Sequence, residues 1–169
     1  MADDIPQSHP RYRSLLARRL LTEAAADGLL AESALIAHGR GEAFDYLLGE
    51  RTIASARQAI NESAARLLTA ESPVLSVNGN TVALAADQML SCAAVLDCPI
   101  EVNIYYRTPE RMIALLKRLG ERRQAVTQSR PPDGWSEGDD AWKAAVNAVP
   151  ILGENADGRI PGLEGPRAA

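Results

Sequence analysis

Up to Pro73 the apolar positions recur three or four residues apart, the period of a helix that buries one stripe. Leu16, Leu20 and Ala24 share a face in a run from Arg11 to Asp27. Ser8 and Pro10 precede that run and Gly28 follows it, so a cap, a first-turn proline and a terminal glycine bracket a helix. Arg11 and Arg18, seven apart, fall together on roughly the opposite side, which by itself reads as a solvated helix face. A second helical piece covers about 30–48 and is expected to break at Gly39-Arg40-Gly41. A third sets Ile53, Ala56, Ile60, Ala64 and Leu67 at helical spacing and ends before Pro73.

After Pro73 the pattern shortens. Val74-Leu75-Ser76-Val77 is a β-prone run closed by Asn78-Gly79-Asn80, and Thr81 to Leu96 is apolar on nearly every face, which predicts a buried helix. Pro99 leads into a second strand, Ile100 to Tyr106. Thr108 and Pro109 then open a helix expected to end near Gly120. Strand, helix, strand, helix at this spacing is a βαβα unit, with parallel strands and a right-handed crossover. The reading is one α/β domain over 1–169: a helical N-terminal region (8–72), the βαβα unit (73–120), an insertion or loop with a short helix inside it (121–147), and a final strand and tail (148–169). So few strands make a sheet that reads as incomplete.

Composition narrows the function more than the fold. The net charge of −4 argues against nucleic acid or an anionic membrane as the main partner. With aromatics at 4%, the core must come mainly from Ala, Leu, Val and Ile. Cys92 and Cys98 lie in apolar surroundings and read as two buried, reduced thiols. The N-terminus MADDIPQSHP has no basic-then-apolar signal and no run approaches a membrane span, so a cytoplasmic protein is expected.

One stretch is unusual. LIAHGRGEAFDYLLGERT, residues 35–52, packs His38, three glycines, two arginines and three acids into a short space, and the acids Glu42, Asp45 and Glu50 read as partners of nearby arginines or as helix caps. Glycine lets a backbone approach an anion closely, and arginine supplies a planar fork of donors. His38 has two readings, a general base or a hydrogen-bonded structural residue. Elsewhere, ligands of open parallel sheets bind beyond the carboxyl ends of the strands. Asn78-Gly79-Asn80 leaves the first strand where a helix begins, as an anion cradle or as a plain tight turn. Arg107 stands at the mouth of the second, as an anion ligand or as a solvated strand-end arginine. No residue stands out as catalytic, no metal set is visible, and metalloprotease, zinc-finger and serine-hydrolase motifs are missing from the sequence.

The strings SHPRYRSLLAR (8–18), LIAHGRGEAFDYLLGERT (35–52), PVLSVNGN (73–80), NIYYRTPER (103–111) and GRIPGLE (158–164), in this order, closely resemble the archaeal phosphopantothenate synthetase family, the 4-phosphopantoate–β-alanine ligases. The resemblance covers nearly all of 5–120 and resumes at about 148–164. It implies a Rossmann-like core, a homodimer, and ATP-dependent condensation of (R)-4-phosphopantoate with β-alanine to 4-phosphopantothenate, AMP and pyrophosphate in coenzyme A biosynthesis. It also implies that Arg18 and Arg40 contact ATP. Family chains continue past IPGLE with segments that this sequence lacks, so the chain reads as missing the family's C-terminal portion. The alternative expectation is a truncated, non-catalytic remnant that dimerises or senses a nucleotide.

The implied chemistry starts from a carboxylate, which has no leaving group. The family's expected solution is an acyl-adenylate formed from ATP, with Mg²⁺, and then broken by the β-alanine amine. Two highly anionic substrates must meet, which calls for fixed cations and donors. Arg18 and Arg40 are expected to face the nucleotide. Asn78, Asn80 and Arg107 are expected to hold 4-phosphopantoate, an assignment that rests on their place at the strand ends.

Overall fold

The computed structural model describes residues 5–153; the expected tail, with its GRIPGLE string, lies outside the described residues. Helices α1 (Tyr12–Ala26), α2 (Glu32–Leu47) and α3 (Ala54–Thr69) come first. Then follow β1 (Leu75–Val77), α4 (Gly79–Leu96), β2 (Ile100–Val102), α5 (Pro109–Thr127), α6 (Asp139–Ala148) and β3 (Ile151–Leu152). The strands form one parallel sheet in the order β1-β2-β3, with Leu75 beside Ile100 and Ile100 beside Ile151. This is the expected α/β arrangement, a helical N-terminal region followed by a βαβα unit and a third strand on a small, open sheet.

The nearly all-apolar α4 is the hub. It packs on α1, α2, α5, α6 and both longer strands, and buries Val82, Ala86, Leu90 and Ala93. Leu21 of α1, Leu115 and Leu119 of α5, and Trp142 and Val146 of α6 close the core around it. Two ends are set by local chemistry. After α1, Gly28 takes φ +77°, and the N–H groups of Gly28 and Leu29 donate to the carbonyls of Ala25 and Ala24 at 3.1 and 3.0 Å, a Schellman stop. At the start of α4, Asn78 Oδ1 accepts from the Thr81 N–H at 3.0 Å.

The structure corrects the sequence reading in several places. Helix α2 does not break at Gly39-Arg40-Gly41 but runs unbroken through them. Each glycine costs a helix interior about 1 kcal/mol, and packing of α2 on α1 and α4 offsets it. Strand β2 stops at Val102 rather than Tyr106. Its last rung on the β1 side is Asn103 N–H to the Val77 carbonyl, 2.8 Å, because β1 itself ends where Asn78 begins to cap α4. Helix α5 continues past Gly120 to Thr127, since its buried stripe Met112, Leu115, Leu119 and Val126 extends beyond the glycine. Residues 121–127 are therefore helix, not loop.

At the start of α1, the Arg11 N–H donates to His9 Nδ1 at 3.0 Å, so the histidine and not Ser8 supplies the acceptor. Cys98 is buried as expected, but Cys92 is exposed. In the segment 128–138, Trp135 packs edge-on against Trp142, ring centres 5.3 Å apart, and donates from Nε1 to the Gly138 carbonyl at 3.1 Å. The loop is thereby tied to the α6 start. No helix among the described residues is long and apolar enough to cross a membrane.

Candidate functional site

Helix α2 departs from the usual division of faces: its inward side holds His38 and Glu42 beside apolar residues, and its outward side exposes large apolar side chains beside Arg40. Successive residues turn by about 100°, so Ala34, Leu35, His38 and Glu42 share the side toward α1 and α4. Ile36, Arg40, Phe44 and Leu47 share the other. Ala34 and Leu35 pack against the core, while Ile36, Phe44 and Leu47 are all exposed, Leu47 by 79%. A charged cluster lies on the inward side.

At its centre is Glu42, whose side chain is only 10% exposed. Its Oε1 accepts from Arg11 Nη2 at 3.2 Å and from the Ser14 hydroxyl in a short bond. Its Oε2 lies 3.6 Å from Arg18 Nη1 and 3.9 Å from His38 Nε2, ion-pair rather than hydrogen-bond distances. Arg11 also reaches Glu50 Oε1 with Nε at 3.8 Å, and its Nη2 donates to Ser14 Oγ at 3.1 Å. Two arginines spaced seven apart on α1 thus converge on one nearly buried carboxylate of α2. Most of the Arg18 side chain remains in solvent, being 66% exposed.

The cluster adjoins the strand ends through one contact. Asn80 Nδ2 donates to the Ala34 carbonyl at 3.3 Å, which ties the α4 start to the first turn of α2. Glu42 lies eight residues further along that helix, about 12 Å at the helical rise of 1.5 Å per residue.

The predicted residues therefore divide. Arg18 is in the cluster. Arg40 lies on the same helix as Glu42 but on the opposite, exposed side, so α2 separates it from Arg18. Because 39–41 are helical, their N–H groups are directed along the helix, and an anion at this place would meet side chains rather than free backbone donors. The glycines leave open surface instead: a Cβ built on either Gly39 or Gly41 meets nothing within 4 Å. Asn78 is engaged in capping, with its Oδ1 also accepting from the Thr81 hydroxyl at 3.1 Å. Between Asn78 and Asn80, Gly79 is required by packing, since a Cβ there would lie 2.5 Å from Leu30 Cδ2 and 2.8 Å from the Leu29 carbonyl oxygen. Arg107 was expected at the mouth of β2, but because that strand ends at Val102 it lies five residues further on, exposed in the loop just before Thr108 caps α5.

Sequence reasoning placed Arg11 and Arg18 on one helix face but took that face as solvated. Glu42 and Glu50, expected to pair with nearby arginines or to cap helices, do pair with Arg11; Ser14 and the meeting of two arginines on Glu42 are not legible in the sequence. A weak signal existed in the i, i+4 spacing of His38 and Glu42; the convergence of α1 on α2 had none.

Comparison with known proteins joins this geometry to a family. The profile of the family described as phosphopantothenate/pantothenate synthetase matches residues 55–136, which takes in the first part of the segment read as an insertion. A 4-phosphopantoate–β-alanine ligase of Thermococcus onnurineus is 42% identical over 160 residues, 95% of this chain and 52% of that protein. Its counterpart in Methanosarcina mazei is 45% identical over 130 residues, 77% of this chain and 51% of the relative. A third, from Methanospirillum hungatei, is 50% identical over 117 residues, 69% and 48% of the two chains. The chain spans about half the length of these curated relatives. Its helical N-terminal region, the parallel β1–β2 unit and the Arg11–Glu42–Arg18 cluster all fall within the 95% that aligns: the chain belongs to the phosphopantothenate/pantothenate synthetase family.

Proposed function

We propose that this chain serves the ATP-dependent ligation of (R)-4-phosphopantoate to β-alanine, the step that makes 4-phosphopantothenate on the route to coenzyme A. The observation that carries the proposal is its identity of 42–50% to proteins named as that ligase. In the proposed reaction a carboxylate oxygen of 4-phosphopantoate attacks the α-phosphorus of ATP. A new P–O bond forms, the bond from that phosphorus to the bridging oxygen of the β-phosphate breaks, and pyrophosphate leaves. The β-alanine nitrogen then attacks the acyl carbon, AMP departs with the electron pair of the broken C–O bond, and the amine proton passes to solvent.

The residues of this chain would act by charge and position. Arg18, with most of its side chain in solvent, and Arg40, on the exposed side of α2, are the proposed nucleotide contacts. Arg107, in the loop between β2 and α5, is the proposed cation for the phosphate of phosphopantoate. Asn78 and Asn80 would act there mainly by holding the strand end in shape, through the α4 cap and the bond to Ala34. Mg²⁺ would come with the polyphosphate and neutralise part of its charge. The proposed working form is a cytoplasmic homodimer, supported by the exposed Ile36, Phe44 and Leu47 of α2 and Ile60 and Leu68 of α3, apolar side chains that a second subunit would cover.

The test is AMP release by the purified 169-residue chain given ATP, Mg²⁺ and 4-phosphopantoate, with and without β-alanine. The expected result is AMP formed in step with 4-phosphopantothenate. A folded sample that releases no AMP would rule out catalysis by this chain alone.

A further inference from the structure

The nearly buried Glu42 has a use that capping and packing do not explain. Its two oxygens divide the labour. Oε1 is fixed by Arg11 Nη2 and the Ser14 hydroxyl, while Oε2 faces Arg18 Nη1 at 3.6 Å, with His38 Nε2 also near it at 3.9 Å. The carboxylate is thus immobilised from one side and presents its second oxygen to a long, solvent-exposed side chain. An arginine free in water loses rotamer entropy when a ligand fixes it. A carboxylate already locked in place removes part of that loss beforehand.

We infer that Glu42 is a positioning residue, which holds the Arg18 guanidinium ready for a polyphosphate. The inference rests on the proposed role of Arg18 as a nucleotide contact. It makes an unusual prediction of sign. By charge alone, replacing a carboxylate beside an anion site with a neutral amide strengthens anion binding. If Glu42 works by position, the same replacement weakens it.

The experiment is calorimetric titration of the purified chain with Mg²⁺–ATP, comparing wild type, Glu42→Gln, Arg18→Ala and the double variant, with thermal melts to confirm folding. Positioning predicts that Glu42→Gln weakens ATP binding roughly three- to tenfold, within the lower part of the range of coupling between contacting residues. It also predicts that Glu42→Gln adds nothing once Arg18 is alanine. Unchanged or tighter binding by Glu42→Gln, with the Arg18→Ala loss intact, would overturn the inference alone. So would an equal loss in both backgrounds, because the effect would then bypass Arg18. A wild-type chain that binds no ATP, or an Arg18→Ala variant that binds as well as wild type, would overturn the nucleotide role of Arg18 and this inference with it. Should Glu42→Gln fail to fold, Ser14→Ala removes one of the two Oε1 donors and is held to the same comparison.

Discussion

Four arginines of this chain carry different work because of where their charges end. Arg11 is spent inside the molecule, on Glu42 and Glu50. Arg18 is half committed, and Arg40 and Arg107 face solvent. Arg40→Ala should weaken ATP binding by ~1.5–3 kcal/mol, the scale of a charge-assisted hydrogen bond, as read by calorimetry. Arg107→Ala should raise the KM for 4-phosphopantoate more than that for ATP in steady-state assays; equal or absent shifts would remove Arg107 from the substrate site. The cysteines give a separate test at this scale. Burial pushes the Cys98 thiol above its ordinary range, with the nearby Cys92 and Asp97 adding to the shift. A folded-state pKa raised above the unfolded value means stability that is complete below the ordinary thiol value and is lost as pH climbs through the raised one. In native protein, a thiol reagent should label exposed Cys92 first and Cys98 only after unfolding. Equal native rates would contradict the burial.

Helix α2 shows at the element scale how sequence signals were outvoted. His38-Gly39-Arg40-Gly41 reads as a break on propensity, and a helix interior containing two glycines is a poor helix in isolation. The flanking residues on the α1 side, Leu35, His38 and Glu42, give it partners that no count of propensities contains. The glycines leave the helix open to a direct test. Gly41 has an ordinary helical conformation and no atom within 4 Å of a built Cβ. Gly41→Ala should therefore raise stability by ~0.5–1 kcal/mol in denaturant unfolding. A loss of stability would mean that the residue is not accommodated in an open helix interior. If ATP approaches this surface, the same variant should also bind it less well, which would separate the use of the glycine from its structural cost. Helix α5 differs at Gly120: the stripe Met112, Leu115, Leu119 and Val126 is present in the sequence, and a stop at the glycine ends the helix about two turns too soon.

Across the whole molecule, the order of elements and the class of the fold were legible in the sequence. The change from helical spacing before Pro73 to short apolar runs after it comes from backbone geometry, because helices and strands present their side chains with different periods. The Asn78 cap and the stop at Gly28 are likewise local events among residues a few positions apart. The quoted strings were enough to suggest the family, since a family is itself a pattern in sequence. What only the tertiary structure decided was every pairing across elements: the unbroken course of α2, the end of β2 where β1 ceases to offer partners, the exposure of Cys92, and the convergence of Arg11, Ser14, Arg18 and His38 on Glu42. Those residues lie up to 31 positions apart, and the crossing of two helices that joins them is fixed by packing of their faces, which single-residue preferences do not encode.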